Sequence, residues 1–413
     1  MSVLNGGRFG RTRPAGPPAG DGITSGTPTL TMNPPRLLIR SHIALGTEDF
    51  AGGADRLIIN VASALSEGDW EVEVLCPKPR GEPARRDEWL TYNEFEYPTP
   101  ESSFTRLYNT VRGAGTFREL TEAKDFDIVL DNVSHYPFYP AHFLRPEGCV
   151  NAVFMHTAFF GAAREHIGPI KGSVIDCIDR TLPYLCEPEI VCAGPSTEAR
   201  INETSDYGET RGLRPCIDID AFEFEFDPSS RTVSYLGRLG RRKNVSCLLK
   251  AWSAFEAARP GYSLIIAGTG SEEQRLKALA AKLGVQNVEF RGFVSEREKV
   301  RLYERSLLSV IPSRMEGYVT TGLEALAAGT PVVGADTYGI NDYLTHRENG
   351  FLFSDNDPAS LARVLEAITD DPEALEPVAK NGRRTAEKHS REAFGRRARQ
   401  LFADLLVEHR SNR

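Results

Sequence analysis

The sequence of 413 residues lacks any apolar run that could cross a membrane, because a span needs roughly 18 consecutive apolar residues and no run approaches that length. It also lacks the apolar core of a secretory signal near the N-terminus. Its 7 cysteines form no C-x-x-C pair and no zinc-finger pattern with histidine. We therefore expect reduced thiols in a cytoplasmic protein, a location compatible with peripheral membrane contact.

The sequence also carries no excess of positive charge. The formal net charge is −8, from 49 Lys and Arg against 57 Asp and Glu. Proteins that bind nucleic acid take much of their affinity from Lys and Arg contacts to phosphate, so this balance disfavours a nucleic-acid partner. The length suggests two domains, at about 100–200 residues per domain.

Strand and helix patterns alternate along the chain in two successive units. Residues 1–35 are rich in Gly, Pro, Ser and Thr, and we expect them to form a disordered tail. The alternation begins at residues 36–40 and restarts at residues 233–236, after a connector at residues 221–230. This pattern indicates an α/β protein with two doubly wound parallel sheets. Ligands bind outside the carboxyl ends of such strands, so we expect the active site in the cleft between the units.

Capping residues predict several helix starts in the second unit. A helix over residues 271–283 is one of them. Two pairs have the spacing of a capping box, Ser271 with Gln274 and Ser295 with Glu298. Asp357 fits an N-cap that is followed by proline, at Pro358.

Two glutamates lie near a predicted helix start in the segment 313–333. Glu316 is in the loop that follows an apolar strand, and Glu324 is in the helix that begins near Thr320. A helix N-terminus presents free backbone N–H groups and binds anions. One carboxylate could hold sugar hydroxyls and the other a ribose diol. For an isolated pair, however, two surface charges are the commoner interpretation.

A basic segment, residues 237–244, follows the first strand of the second unit. Arg238 can bind two phosphate oxygens at once, and Lys243 adds a point charge. Both would lie at the carboxyl end of a parallel strand, where a diphosphate can bind. Taken alone, the segment is more often a solvated basic turn.

These segments, in this order, resemble the retaining glycosyltransferases of family four, which have the GT-B fold. That family's glutamate pair is matched by Glu316 and Glu324, and its G-R-x-x-x-x-K stretch by Gly237, Arg238 and Lys243. The resemblance spans residues 36–400. In the second unit, Gly268 and Gly270 match the family's Gly-x-Gly turn, and residues 288–292 match its apolar-x-x-Gly strand end. In the first unit, Gly52, Gly53 and Ala54 match its Gly-Gly-Ala loop. The family's histidine and serine are matched by His156 and Ser196.

The resemblance implies a role for each matched residue. Arg238 and Lys243 would neutralise the donor diphosphate, Glu324 would bind the ribose, and Glu316 would contact the donor sugar. His156 would touch the sugar from the first domain, where Gly52 and Gly53 would let the backbone approach the phosphate or the acceptor. The implied catalytic residues are Glu316, His156, Arg238 and Lys243. The implied donor-binding residues are Arg238, Lys243, Glu324, Gly317, Tyr318, Val319, Thr320, Gly268, Gly270 and Arg291.

The chain departs from the family's pattern at two places. Val319 and Thr320 replace a small and an aliphatic residue at positions expected to face the donor sugar. The family's Gly-Gly-x-x-Glu segment corresponds here to residues 338–342, which weakens any role assigned there.

The implied architecture is two Rossmann-like domains facing across a cleft. After the tail at residues 1–35, an acceptor-side domain would span residues 36–215 and a nucleotide-sugar-binding domain residues 216–390. A helix within residues 391–413 would pack back towards the first domain. The implied reaction moves a hexose-type sugar from a UDP-, GDP- or ADP-sugar to an acceptor hydroxyl with retention, and requires no metal or other cofactor. The net charge favours a polar small molecule or a glycan as acceptor.

Other functions remain open at this stage. A GT-B relative could split or epimerise a nucleotide sugar without an acceptor. A catalytically degenerate GT-B protein could bind a nucleotide sugar as a scaffold or partner subunit. A dinucleotide dehydrogenase is disfavoured, because no G-x-G-x-x-G opens the first helix and the Gly268–Gly270 turn runs into Glu272 and Glu273.

Overall fold

A computed structural model describes residues 33–41, 53–79, 89–97, 103–133, 146, 148–158, 163–164, 168–186, 188–204 and 209–411. Most of the predicted tail lies outside these residues, and so does Gly52.

The first half of the described chain forms a seven-stranded parallel sheet in the order β3-β2-β1-β4-β5-β6-β7. The strands are β1 Arg36–Ser41, β2 Glu71–Pro79, β3 Thr91–Tyr97, β4 Ile128–Val133, β5 Val150–Met155, β6 Glu189–Cys192 and β7 Thr210–Gly212. The helices between them are α1 Gly53–Ser66, α2 Ser103–Ala123, α3 Pro169–Cys186 and α4 Pro195–Thr204. Strand β5 is buried along its whole length, and all of its residues except Asn151 are apolar.

The second half forms a six-stranded parallel sheet in the order β10-β9-β8-β11-β12-β13. The strands are β8 Thr232–Leu236, β9 Ser263–Ala267, β10 Val288–Gly292, β11 Leu308–Ile311, β12 Val332–Asp336 and β13 Phe351–Ser354. The helices are α5 Val245–Ala258, α6 Glu273–Leu283, α7 Glu296–Glu304, α8 Thr320–Ala328, α9 Pro358–Thr369, α10 Glu376–Glu387 and α11 Arg391–Ser411. The α/β class with two doubly wound sheets is confirmed.

The last helix, α11, returns to the first sheet. Phe394, Ala398 and Phe402 recur every four residues along one face of α11, and they share a buried cluster with Leu57 and Val61 of α1. The C-terminal end of the chain therefore completes the core of the first half. Among the described residues, no helix combines the length and the apolar character needed to cross a membrane.

The strand order places a ligand crevice in each sheet. In each sheet the first three strands extend to one side and the fourth lies on the other side of the first strand. The strand order therefore reverses between β1 and β4 and between β8 and β11, and the crevices lie there. Asn132, on β4, lies at the first crevice. The segments 237–244 and 313–319, which follow β8 and β11, lie at the second.

The predicted helix starts have mixed outcomes. Ser295 and Glu298 form a reciprocal capping box, and Asp357 caps α9 ahead of Pro358, as predicted. The Ser271–Gln274 pair was wrong, because α6 begins at Glu273 without a side-chain cap. A backbone contact holds the residue before this helix: the N–H of Glu272 donates to the Leu239 carbonyl at 2.9 Å. Strand β3 and the short strands β7 and β13 were not predicted.

A buried histidine fastens the start of α11 to both halves. His389 Nδ1 lies 3.0 Å from the carbonyl oxygen of Pro215, which can only accept, so Nδ1 carries the proton. Nε2 then accepts from the Tyr318 hydroxyl at 3.1 Å. Burial, helped by nearby arginines, lowers the pKa of His389 to about 4 and keeps the ring neutral.

His389 should make folding stability depend on pH. Its folded-state pKa lies below its ordinary value of 6.5, so stability is present above pH 6.5 and falls as the pH drops towards 4. The loss should be on the order of 3 kcal/mol, at about 1.4 kcal/mol per pKa unit. Urea unfolding at several pH values should show a flatter slope for His389→Gln than for wild type. The exposed His346→Gln is the control, and equal slopes for all three proteins would contradict this assignment.

Candidate active site

The loop after β11 holds a buried carboxylate between two cations. Glu316 is 6% exposed. Its Oε1 lies 2.8 Å from Lys243 Nζ, and its Oε2 lies 3.5 Å from an Arg242 guanidinium nitrogen. Burial opposes the charge, but these cations outweigh it and lower the pKa of Glu316 to about 2. The two segments singled out in the sequence therefore meet directly, with Glu316 ionised.

The backbone that leads into α8 has unpaired N–H groups. Val319 is the N-cap residue, and its side chain makes no capping hydrogen bond. The first N–H groups of a helix have no partner within the helix, so those of α8 are suited to an anion near the loop of Glu316. Thr320, the first residue of α8, is half-buried.

The side chains of Val319 and Tyr318 pack against the rest of the protein. Val319 packs in the hydrophobic core of the second half, which corrects the expectation that it faces the donor sugar. The Tyr318 ring lies 5.4 Å, between centroids, from each of the Tyr343 and His389 rings. The loop therefore offers ligands its backbone at positions 318 and 319, because packing of the core and of the joint to α11 uses both side chains.

Gly317 brings the two halves into contact. A Cβ at this position would lie 1.5 Å from the carbonyl oxygen of His156, at the end of β5. His156 Nε2 lies 2.5 Å from Asn132 Oδ1, and Asn132 is buried on β4. His156 is thus next to the Glu316 loop, at the carboxyl edge of the first sheet.

Glu324 lies on α8 in a second charge network. Its Oε1 is 2.9 Å from Lys299 Nζ on α7 and 3.9 Å from an Arg56 guanidinium nitrogen on α1. Burial raises the pKa of Glu324 above that of an ordinary glutamate, although Lys299 and Arg56 counteract the shift. This network also crosses from the first half to the second.

The glycines of the Gly-x-Gly turn allow two loops to touch. Gly268 has φ +129°, and a Cβ there would lie 2.0 Å from the Gly237 carbonyl oxygen. A Cβ at Gly270 would lie 2.4 Å from the Leu239 carbonyl oxygen. The turn therefore supports the loop that carries Arg238 and Lys243.

The remaining predicted residues that the structure describes, Gly53, Arg238 and Arg291, are exposed. Arg291, on edge strand β10, pairs with Glu289 at 2.8 Å. A Cβ at Gly53, the first residue of α1, would lie 4.0 Å from Thr320 Oγ1, so Gly53 faces the start of α8. Gly52 lies outside the described residues.

Sequence reasoning missed several participants. Asp342 accepts a hydrogen bond from the Ser196 backbone N–H at 3.1 Å and another from its hydroxyl, so it joins the halves. Its segment was noticed only as a departure from the family pattern. Arg242 stood in the basic segment without a role. Lys299 carried no signal, because a lysine on a charged helix is usually exposed.

The structure brings cations, an uncapped helix start, two carboxylates and a histidine to the region where the two halves meet. Cations and N–H groups suit a diphosphate, and ionised carboxylates suit hydroxyl groups that donate hydrogen bonds. This chemistry fits a ligand that has both phosphate and sugar.

Comparison with known proteins agrees with this geometry. The family model for glycosyl transferases group 1 matches residues 217–385, and the model for glycosyltransferase family 4 matches residues 51–182. An uncharacterized glycosyltransferase from Haemophilus influenzae is 30% identical over 345 residues, which cover 82% of this chain and 93% of that protein. A lipopolysaccharide core biosynthesis mannosyltransferase from Rhizobium meliloti is 30% identical over 57% of this chain and 66% of its own length.

Solved structures share the fold at low identity. Sucrose-phosphate synthase from Thermosynechococcus elongatus has a TM-score of 0.78 at 18% identity, over 91% of this chain and 100% of its own. HepE from Anabaena, solved in complex with UDP and glucose, has a TM-score of 0.68 at 16% identity, over 89% and 99%. With its two parallel sheets and the family matches in both halves, the chain belongs to the group 1 glycosyltransferases of family four and has the GT-B fold.

Proposed function

We propose that the protein transfers a hexose-type sugar from a nucleoside-diphosphate sugar to an acceptor hydroxyl, with retention of configuration and in the cytoplasm. The observation that carries the proposal is the contact of Gly317 with His156, which brings the Glu316–Lys243 pair and the start of α8 to the edge of the first sheet. In this proposal the donor lies on the second domain and the acceptor approaches from the first.

The donor diphosphate would bind Arg238, Lys243 and the first N–H groups of α8. Lys243 and Arg242 share the single negative charge of Glu316, and Arg238, which forms no ion pair with any other described residue, adds a further positive charge. These groups would stabilise the negative charge that develops on the leaving diphosphate. We propose that they do so without a metal ion or other cofactor.

Glu316 would act as an ionised hydrogen-bond acceptor. With a pKa of about 2, Glu316 is ionised at pH 7, so it is unsuited to general-acid catalysis. Its negative charge can accept hydrogen bonds from sugar hydroxyls and stabilise positive charge on the ring. Both oxygens are close to cations, which also makes it a poor nucleophile. We therefore propose front-face attack, with the leaving phosphate taking the proton of the acceptor hydroxyl.

Glu324 would bind the nucleotide ribose, and His156 would contact the sugar from the first domain. The HepE structure in complex with UDP-glucose makes UDP-glucose the first donor to test, and the mannosyltransferase relative adds nucleotide-activated mannose. The acceptor proposed is a polar small molecule or a glycan, in keeping with the net charge of −8.

Donor binding should depend on Arg238 and Glu324. We expect one of the UDP, GDP and ADP sugars to raise the melting temperature of the wild type. Calorimetry should show that Arg238→Ala and Glu324→Gln each weaken that binding by about 10-fold or more, since each removes charge-assisted hydrogen bonds.

The exposed pair Glu392 and Arg396 on α11 supplies matched controls, Glu392→Gln and Arg396→Ala. Binding that survives both site substitutions would contradict the proposed donor site. Binding without turnover on a broad acceptor panel would favour a scaffold protein, and release of free sugar from the donor alone would favour a hydrolytic relative.

The anomeric configuration of the first-formed product should match that of the donor. Proton NMR during turnover, before mutarotation or secondary transfer, distinguishes the two anomers by their coupling constants. An inverted first product would rule out front-face attack.

Turnover should also survive removal of divalent metal. Activity measured after dialysis against EDTA should equal that of the untreated enzyme, because Arg238, Lys243 and the start of α8 would carry the diphosphate charge. Loss of activity that added Mg²⁺ or Mn²⁺ restores would refute the metal-independent proposal.

A further inference from the structure

Lys299 is a buried lysine beside a carboxylate of the donor site. It is 6% exposed, although its helix α7 is otherwise rich in exposed charge. Its Nζ lies 2.9 Å from Oε1 of Glu324 and 2.6 Å from an oxygen of Glu296. Lysine is rarely buried unless it is paired, so this position needs an explanation.

The contacts of Glu324 fall on one of its two oxygens. Among the described residues, Lys299 and Arg56 both approach Oε1, and no group donates a hydrogen bond to Oε2. One oxygen is therefore held in place while the other remains available to a ligand.

We propose that Lys299 is a positioning residue, which holds Glu324 ionised and oriented so that Oε2 binds the ribose hydroxyls of the donor. The inference rests on the proposed role of Glu324 in donor binding and adds a residue to it. Lys299 itself would not touch the nucleotide.

The Lys299–Glu324 pair should matter more than the other ion pairs around it. Arg56 and Glu296 also join across the cleft, at 2.5 Å, but their side chains are 52% and 67% exposed. Water and salt screen such an exposed pair, whereas the buried pair is screened little. The charge next to Glu324 is therefore supplied mainly by Lys299.

The pH dependence of ribose binding should report this arrangement. The groups facing Glu324 are Lys299 and Glu296 from α7, Arg56 from α1 and the hydroxyl of Tyr303, also on α7. Burial already raises the pKa of Glu324. Without the Lys299 charge, the pKa of Glu324 should rise further. As the pH falls, binding that needs ionised Glu324 should therefore be lost at a higher pH in a Lys299 variant than in wild type.

The test compares a nucleoside diphosphate with its 2′,3′-dideoxy form by calorimetry. The probes are UDP and 2′,3′-dideoxy-UDP, or the guanosine pair if GDP binds better. Wild type should prefer the ribose form by about 10-fold or more. Lys299→Met should lose most of this preference, because Glu324 then lacks its cation. Lys277→Met is the control, since Lys277 pairs with Glu273 on the exposed face of α6.

Lys299→Gln covers the case in which Lys299→Met does not fold. Its amide can still donate a hydrogen bond to Glu324, but it carries no charge. We expect it to keep part of the ribose preference at pH 8 and to lose that preference at a higher pH than wild type.

The outcomes separate this inference from the proposed function. If Glu324→Gln abolishes the ribose preference while the Lys299 variants keep it with a wild-type pH profile, the positioning role is wrong and the donor site stands. If Glu324→Gln keeps the preference, or wild type binds neither probe, Glu324 does not bind ribose and the underlying proposal is wrong. Loss in both Glu324→Gln and the Lys299 variants, with Lys277→Met unchanged, is the expected result.

Discussion

The site depends on one steric constraint, the approach of the Gly317 backbone to the carbonyl group of His156. No side chain fits there, since even a Cβ would lie 1.5 Å from that oxygen. The contact joins the loop of Glu316 to the carboxyl edge of the first sheet. It also sets where Tyr318 lies, because the next residue along the chain packs against His389 at the start of α11. The fold of one half therefore positions the chemistry of the other.

Charge pairing is the second constraint on the site. Glu316 pairs with Lys243 and Arg242, and Glu324 pairs with Lys299 and Arg56, so cations offset part of the cost of burying each carboxylate. Exposed Arg238 forms no ion pair with any other described residue and adds a positive charge for a diphosphate. The same pairing separates the roles of the two glutamates: Glu316 has a pKa of about 2, whereas burial raises that of Glu324. Environment distinguishes two residues that the sequence presents as a symmetric pair.

Much of the fold and part of the site could be predicted from sequence, for physical reasons. Buried parallel strands appear as apolar runs, so β5 and β9 were found, while the short edge strands β7 and β13 were not. The meeting of Lys243 and Glu316 followed from matching family motifs in order. Lys299 could not be found, because local sequence does not reveal that a lysine of a charged helix faces inward. The Ser271 cap failed because the helix begins at Glu273, after Glu272 donates its N–H to the Leu239 carbonyl of another loop, a tertiary contact that spacing does not encode.

The direction of two side chains bears on how the protein would select its sugar. Val319 lies in the core and Tyr318 in the joint to α11, so residues 318 and 319 present backbone groups to the cleft. Backbone N–H groups bind hydroxyls and phosphates without reading which hydroxyl is axial. Discrimination among sugars would then come from side chains around this backbone, and Glu316, Thr320 and His156 are polar side chains that the structure brings near it. We therefore expect substitutions at these residues to alter sugar preference, whereas replacing Val319 would alter core packing first.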